Sequence, residues 1–291
     1  MASRLISVVI PAHITSVESL RLLDGQLDAV AGQDYSGQFE VLVVDNGSPV
    51  RVREHIARHP LATRLSLRCL DAAQRRGAAY ARNCGAEAAS GEILLFCDHD
   101  DVVHSDWLSS LVEFLDTGYD LVGSAVEEHS LNRDNPRTMV EVPAPESFQP
   151  PGVRVPVVVS SSMACRADMY RAVGGMDETY SANEDVEFGW RADRQGYSVG
   201  YLPAALVGYR HRRGFRPALR QGWARGIGLA RLHAEYPGNG LPEARLSTTV
   251  RDLVALAVAR RATRAERGLM LGVLVGQLLG GRFTTVRANG R

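Results

Sequence analysis

The sequence predicts an α/β protein: a mostly parallel, doubly wound sheet with helices on both faces, plus a helical C-terminal extension. Three observations predict it. Apolar runs that read as buried strands alternate with helical patterns from residue 5 to about 125. Two of those runs end abruptly on carboxylates, at Asp45 and Asp98. Beyond residue 212 the pattern is helical only, and the charge changes sign.

Leu5 to Ile10 reads as a strand, ended by Pro11, which has no N–H for a ladder. Thr15-x-x-Glu18 has capping-box spacing, and Leu20, Leu23, Leu27 and Val30 follow at helical intervals. Phe39 to Val44 is a second strand, running into the turn sequence Asp45-Asn46-Gly47-Ser48. Leu65 to Leu70 is a third. Gly77 to Ala89 is alanine-rich and helical. Ile93-Leu94-Leu95-Phe96-Cys97 is a continuous apolar run, the mark of a strand buried on both faces, and it stops on Asp98-His99-Asp100-Asp101. Ser105 is placed to cap a helix carrying Trp107, Leu108, Leu111, Val112 and Leu115.

Regularity then fails. Glu127 to Pro151 is polar and proline-rich, an excursion long enough to cover a site. Val153 to Val159 predicts a strand. Ala167 to Val173 predicts a short helix ended by Gly174-Gly175. Asn183-Glu184-Asp185 opens a helix through Trp190 and Arg191, stopped by Gly196. Tyr197 to Leu202 and Leu206 to Tyr209 read as two short strands. Residues 217–235, 246–261 and 264–279 read as helices. Residues 1–212 therefore form one domain and 213–291 a basic helical extension.

Hydrophobic residues make up 45% of the 291, ordinary for a globular chain with a sizeable core. Cys69, Cys84, Cys97 and Cys165 show no CxxC spacing, which predicts reduced thiols rather than a disulfide framework or zinc site. Met1-Ala2-Ser3-Arg4 runs straight into the first strand pattern, so no signal peptide is expected. The longest uncharged run near the end, Gly268 to Gly281, has 14 residues, short of the roughly 18–20 that span a bilayer. The expectation is a cytoplasmic protein, at most peripheral to the inner face of the plasma membrane. Residues 1–203 carry 17 Arg against 29 Asp and Glu, and residues 204–291 carry 16 against 4, with no lysine anywhere. An acidic body with a basic tail implies two working surfaces.

Three carboxylates leaving one strand end repel each other unless a cation sits among them. Hard divalent ions take carboxylate oxygens and keep substrate phosphate oxygens as further ligands. Ligands of open α/β sheets bind beyond the carboxyl ends of the strands. A solvated acidic turn is the simpler alternative. Asp45 ends its strand as Asp98 does and suits a nucleobase N–H or ribose hydroxyls, or merely opens an Asx turn. Arg75, Arg76, Gly77 and the pair Arg82-Asn83 precede the acidic strand. Arginine forks suit phosphate oxygens, or else line a solvated helix face. No GxxxxGK[ST] or GxGxxG loop is present. Glu184-Asp185 sits in a dense acidic set with Asp177, Glu178 and Glu187, and serves as a general base or as a helix cap. His211, among Arg210, Arg212 and Arg213, is a third metal ligand or a plain surface histidine.

Assembled, these pieces resemble glycosyltransferase family 2, the inverting enzymes of the GT-A nucleotide-diphospho-sugar transferase fold, in a bacterial member. The resemblance is carried by SVVIPAH (Ser7 to His13), EVLVVDNGS (Glu40 to Ser48), GAAYARNCGAEAASGEILLFCDHDD (Gly77 to Asp101) and RAVGGMDETYSANEDVEFGWR (Arg171 to Arg191), in that order over about 1–212. It implies a nucleotide-binding half at about 1–125 and an acceptor-side half at about 150–212. It implies a nucleotide-sugar site of Pro11, Ala12, His13, Asp45, Arg76, Gly77, Arg82, Asp98 and Asp100. Asp45 would meet the base, Asp98 would lie near the ribose, and Asp100 would hold the metal that bridges the diphosphate. Asp101 and His211 are the further candidate metal ligands. Gly175, Glu184 and Trp190 fall on the donor-sugar and acceptor side, and Asp185 is the implied general base, with Glu184, Asp177 and Glu187 next in line.

The implied cofactor is Mn²⁺ or Mg²⁺. The implied donor is a nucleoside-diphosphate sugar, uridine by resemblance, and the acceptor is an unidentified hydroxyl on a glycan, a lipid-linked or a small molecule. Nucleic acid is not an expected partner. His99 fills the variable middle of the DxD and Asp101 adds a third acid, so Asp100 and Asp101 compete for the metal. Arg216 to Pro237 resembles a helical extension of some bacterial members and carries no residue role. A sugar-nucleotidyltransferase would need a Gly/Arg/Lys-rich loop where Pro11-Ala12-His13-Ile14-Thr15 stands. A non-catalytic nucleotide-sugar-binding protein would have no use for Asp100 and Asp185. The basic region docks an anionic surface, a membrane or phosphorylated acceptor, or packs on its own acidic body.

Overall fold

The computed structural model describes residues 4–136, 152–241 and 246–288, so most of the polar excursion, 137–151, lies outside the described residues. The chain divides into two compact units. One is drawn from Met1–Glu127, Pro156–Glu178 and Asp185–Tyr209. The other is drawn from Glu128–Val155, Thr179–Glu184 and Arg210–Arg291.

The first unit is one eight-stranded sheet in the order β3-β2-β1-β4-β7-β6-β8-β5. Its strands are β1 (Ile6–Ala12), β2 (Phe39–Asp45), β3 (Leu67–Asp71), β4 (Ile93–Phe96), β5 (Val102–Val103), β6 (Leu121–Glu127), β7 (Met163–Arg166) and β8 (Val199–Gly208). The first four lie parallel, as the alternation with helices requires. β7 runs antiparallel to both β4 and β6. β6 and β8 are parallel, and β5 closes the edge against β8 in the antiparallel sense.

Period-two alternation splits the core in two. Ile6, Val8 and Ile10 of β1 pack on one face with Leu23, Leu27 and Val30 of α1 (Val17–Ala31), Ile56 of α2 (Val52–Ala57) and Trp107 and Leu111 of α4 (Trp107–Leu115). Val9, Leu42, Leu94 and Phe96 face the other way, onto Ala79 and Ala86 of α3 (Ala78–Ala88), Tyr170 of α5 (Ala167–Val173) and Phe188 of α6 (Glu184–Arg194). At the amino end of β2, Glu40 is buried among donors: Ser7 Oγ at 2.8 Å, the Ser90 amide at 2.7 Å and Arg68 at 3.0 Å. Burial alone would push its carboxyl up, but these bonds outweigh it and hold it below the usual glutamate range.

Several expectations shift. The cap of α1 is Ser16, whose hydroxyl accepts from the Ser19 amide at 3.1 Å, one residue beyond the predicted Thr15 box. The residue capping α4 is Asp106 rather than Ser105, with no side-chain cap bond. The strand predicted at Val153–Val159 is absent. Pro156 has no N–H to give a ladder, and the edge of β4 is taken by Met163–Arg166 instead. The two strands expected around residues 197–209 are one, β8. Its register jumps from Ser124↔Leu202 to Ala125↔Ala205, so Pro203 and Ala204 bulge out of the ladder. β6 is not announced by the sequence, because Gly123 and Ser124 interrupt its apolar run. Gly123 leaves room for Val158, since a Cβ there would lie 2.8 Å from Val158 Cγ1.

The second unit is built on α7 (Phe215–Glu235), α8 (Leu246–Val258) and α9 (Arg264–Ala288). α7 and α9 touch backbone to backbone. Gly222 and Gly226 of α7 meet Gly268, Gly272 and Gly276 of α9, spaced four apart, where any Cβ would strike the facing helix. A Cβ on Gly272 would lie 2.3 Å from the Leu219 carbonyl.

These contacts separate two kinds of helical glycine. Gly272→Leu is expected to cost about 1–3 kcal/mol by overpacking. Gly25→Ala, in α1 with nothing within 4 Å of the new Cβ, should instead stabilise by about 0.5–1 kcal/mol through helix propensity. Thermal melts of both variants check the pair, and a neutral Gly272→Leu would show that α7 and α9 are not held this closely.

Candidate active site

The sheet reverses its winding between β1 and β4. β1 leads through α1 to β2 on one side, while β3 leads through α3 to β4 on the other. Such a switch point leaves a crevice at the carboxyl edge of the strands. Register places the expected residues there: Pro11 pairs with Val44 and Ala12 with Asp45. Pro11 and Ala12 are themselves buried in the strand end.

Three loops then interlock. Asp45 Oδ1 accepts from the Ser48 amide at 2.9 Å, so the Asx turn is real. Asn46 is buried and joins β2 to the loop before α3. Its Nδ2 donates to the carbonyls of Ala72 and Arg75, both at 2.7 Å, and its Oδ1 accepts from the Gly77 amide at 2.9 Å. Gly77 has φ +137°, a conformation open to glycine and little else. The exposed Arg76 Nη1 lies 3.0 Å from His13 Nδ1 and donates to the carbonyls of Asn46 and Gly47, both at 3.0 Å. His13, Asp45, Arg76 and Gly77 thus share one rim.

The acidic turn is held from beneath. Gln26, wholly buried on α1, donates to the Asp98 carbonyl at 3.0 Å and accepts from the Val103 amide at 3.0 Å, gripping both ends of the turn. Buried Arg82 of α3 meets Asp98 Oδ1 at 2.7 Å. Asp100 and Asp101 are buried, at 8% and 1% exposure. An all-carboxylate, hard-oxygen donor set fits Mg²⁺ or Mn²⁺ better than a soft metal. Among the described residues the tight group of three potential ligand atoms is Asp24, His55 and His59, on and beside α1 and α2, rather than this turn. A diphosphate-bridging ion needs only one or two protein carboxylates.

Asp185 reaches the same edge by a route the sequence does not show. Met163 pairs with Phe96 in antiparallel register, so Ser160 to Ser162 run on past the end of β4, beside the acidic turn. The Ser160 amide and hydroxyl donate to Asp185 Oδ2 at 2.8 and 3.0 Å. Glu187 is committed elsewhere, in a two-pronged ion pair with Arg191 Nε and Nη2 at 2.8 and 2.9 Å. Arg191 also donates to the Gly175 carbonyl at 2.8 Å. Gly175 has φ +69°, and a Cβ on it would strike Asn83 Oδ1. Asn83 in turn accepts from the Tyr170 hydroxyl and the Met176 amide, fastening α3 to this loop. Trp190 is buried, at 3% exposure.

Glu184 and His211 belong to the second unit. His211 is buried there, with Nε2 2.8 Å from Glu128 Oε2 and Nδ1 3.2 Å from the Asn135 carbonyl. To ligate a metal it would have to surrender one of these. Gln26, Asn46, Asn83 and Ser160 are absent from the sequence-derived site. Of these, Asn46 and Asn83 fall in the turn and the Arg82-Asn83 pair that the sequence singles out, and Gln26 left its own signal, a polar residue on the apolar stripe of its helix.

A parallel half-sheet with acids at the carboxyl edge about its switch point, continued by a mixed second half and a helical C-terminal part, is the architecture of a GT-A glycosyltransferase. The chain belongs to glycosyl transferase family 2: that family's model matches residues 7–174, and the model of glycosyl transferase family group 2 matches 93–259. It is 30% identical over 212 residues to the pre-mycofactocin glycosyltransferase of Mycobacterium tuberculosis, covering 69% of this chain and 44% of that protein. It is 33% identical over 202 residues to glycosyltransferase AglE of Haloferax volcanii, covering 67% and 64%. The chain spans less than two thirds of the length of either relative.

Among solved structures, the mannosyltransferase PcManGT of Pyrobaculum calidifontis, in complex with GDP-Man and Mn²⁺, superposes with a TM-score of 0.61 at 19% identity, over 98% of this chain and 75% of that one. Staphylococcus aureus TarS 1-349 in complex with UDP-GlcNAc gives 0.59 at 17% identity, over 98% and 91%. These two likenesses are of fold.

Gln26→Leu keeps the bulk and strands the buried Val103 amide, at a cost of about 1–3 kcal/mol, and frees the half-buried Asp98 carbonyl. Urea unfolding should show that loss, together with weaker nucleotide binding. Unchanged stability would mean the acidic turn holds itself.

Proposed function

We propose that this chain is a metal-dependent inverting glycosyltransferase that moves a sugar from a nucleoside diphosphate, uridine in the first instance, to an acceptor hydroxyl. The observation that carries the reading is the meeting of the Asp98–Asp101 turn and Asp185 at one sheet edge, joined through Ser160 and the β7 register. Membership of the family supports it, as do fold relatives in complex with UDP-GlcNAc and with GDP-Man and Mn²⁺.

In this reading Asp45, at the end of β2, meets the base, and Asp98, oriented by Arg82, meets the ribose. His13, Arg76 and Gly77 line the rim over the nucleotide. Asp100 or Asp101 would hold the divalent ion, which would supply neutralisation of charge on the departing diphosphate. Asp185, steadied by Ser160, takes the proton from the acceptor hydroxyl as that oxygen attacks the anomeric carbon. The bond to the diphosphate breaks on the opposite face, so one displacement inverts the centre. Gly175, Glu184 and Trp190 shape the sugar and acceptor side without touching the proton. Three of the four thiols are held protonated by burial, which pushes Cys69 up to about 11 and raises Cys97 and Cys165 further. The basic C-terminal region, with 16 Arg against 4 acids over 204–291, docks the chain on an anionic surface. Among the described residues no helix is long and apolar enough to cross a membrane.

Two measurements bear on the chemistry. A panel of nucleotide sugars, scored by diphosphate release with Mn²⁺ or Mg²⁺, identifies the donor. On that donor, EDTA or Asp100→Ala should abolish turnover and weaken nucleotide binding, and full activity in excess EDTA would sink the metal assignment.

Asp185→Asn retains the shape and the Ser160 bonds but cannot accept a proton. Transfer should fall by at least about a hundredfold while nucleoside diphosphate affinity stays within a few-fold. A mere cap would predict the reverse, near-normal turnover with a loss of stability of about 1 kcal/mol. That pattern would pass the role to Glu184 or Asp177.

A further inference from the structure

We propose that the valine stripe of α8 is the element that seats this chain on an anionic lipid bilayer. The inference deepens, and rests on, the reading of the basic region as a docking surface. α8 turns its valines outward. Among its described side chains Thr249 and Leu256 are buried, at 2% and 6% exposure, while Val250, Val254 and Val258 stand 51%, 58% and 70% exposed. Spaced four apart, the three valines form one stripe, and exposed Ala257 borders it. The helix is fastened in this orientation from behind. Arg267 of α9 donates to the Leu256 carbonyl at 2.9 Å and to the Ala259 carbonyl, closing the C-terminal end of α8.

Exposed cations lie beside the stripe in the chain. Arg251 stands exposed on α8, and Arg260, Arg261 and Arg264 stand exposed in the segment that follows. The one acid of the helix, Asp252, is neutralised by Arg251 at 3.0 Å. α7 repeats the chemistry: Phe215 and Trp223 are each 39% exposed, and Arg216 and Arg220 are exposed on the same helix. A shallow aliphatic ridge with guanidinium groups at its margin suits the boundary between acyl chains and phosphate headgroups, where arginine forks bind phosphate oxygens. A second copy of this chain is a poorer cover, because a two-fold contact would set the same arginine clusters against each other. Seating differs from spanning, in keeping with the lack of a membrane-crossing helix among the described residues.

The test is co-sedimentation of the full chain with phosphatidylcholine vesicles, with and without phosphatidylglycerol, at low and high salt. Wild type should bind anionic vesicles at least about tenfold more tightly than neutral ones, and lose that preference in salt. Val254→Asp/Val258→Asp should weaken anionic binding by at least about tenfold with an unchanged melting temperature. Should that variant misfold, Val254→Ser/Val258→Ser together with Arg260→Glu/Arg261→Glu put the same question. If wild type ignores anionic vesicles, the membrane form of the docking reading and this inference both fall. If wild type binds and the valine variants bind equally, docking stands and the α8 assignment is overturned. If light scattering shows a wild-type dimer that the valine variants abolish, without vesicle binding, a second copy covers the stripe and the inference is overturned.

Discussion

The apolar strand Ile93–Phe96, buried on both faces, is the constraint from which the rest of the first unit follows. Such a strand can lie only in the interior of a sheet, and here it lies between β1 and β7. Its parallel pairing with β1 delivers Asp98–Asp101 to the edge where β2 delivers Asp45. Its antiparallel pairing with β7 carries Ser160 to the same edge from the other side, and with it Asp185. One strand's register thus decides which carboxylates can act together, although the residues lie 87 positions apart in the chain from Asp98 to Asp185.

Holding those carboxylates close is unfavourable in itself, since like charges repel and burial penalises each. The fold answers with neutral amides at the loop bases. Gln26 grips both ends of the acidic turn, Asn46 ties two strand-end loops, and Asn83 fastens the glycine loop to α3. An amide suits this work because it offers donors and an acceptor together and brings no charge of its own. Arg82 pairs with the turn through Asp98. The side chains expected to meet substrate therefore rest on a layer of uncharged hydrogen bonds that fixes the backbone beneath them.

The second unit obeys a different rule. α7 and α9 meet through glycines spaced four apart, so their backbones approach more closely than larger side chains would allow. Dispersion contacts between the helices replace the usual interdigitated core. On α8 it is the valines Val250, Val254 and Val258 that stand outward, with exposed Arg251, Arg260 and Arg261 close by in the chain.

By itself the sequence determined the parallel half of the sheet, the acidic ends of β2 and β4, the glycine punctuation before α3 and after α5, and the opposed charges of the two parts of the chain. These rest on local physics: a run of five apolar residues, period-two and period-3.6 patterns, and residues such as Gly77 whose backbone angle admits little else. Only the tertiary structure decided how the second half of the sheet pairs. Val153–Val159 has the better strand composition, yet Met163–Arg166 holds the edge of β4, because ladder pairing depends on which segment reaches that edge with its donors intact. In the same way Glu187 reads like Asp185 in the sequence, but Arg191 claims the first and Ser160 the second. His211 reads in the sequence as a ligand or a surface histidine, and the structure buries it with Glu128 and the Asn135 carbonyl on its two nitrogens. Partner choice among polar groups distant in the chain is set by packing, and no local pattern encodes it.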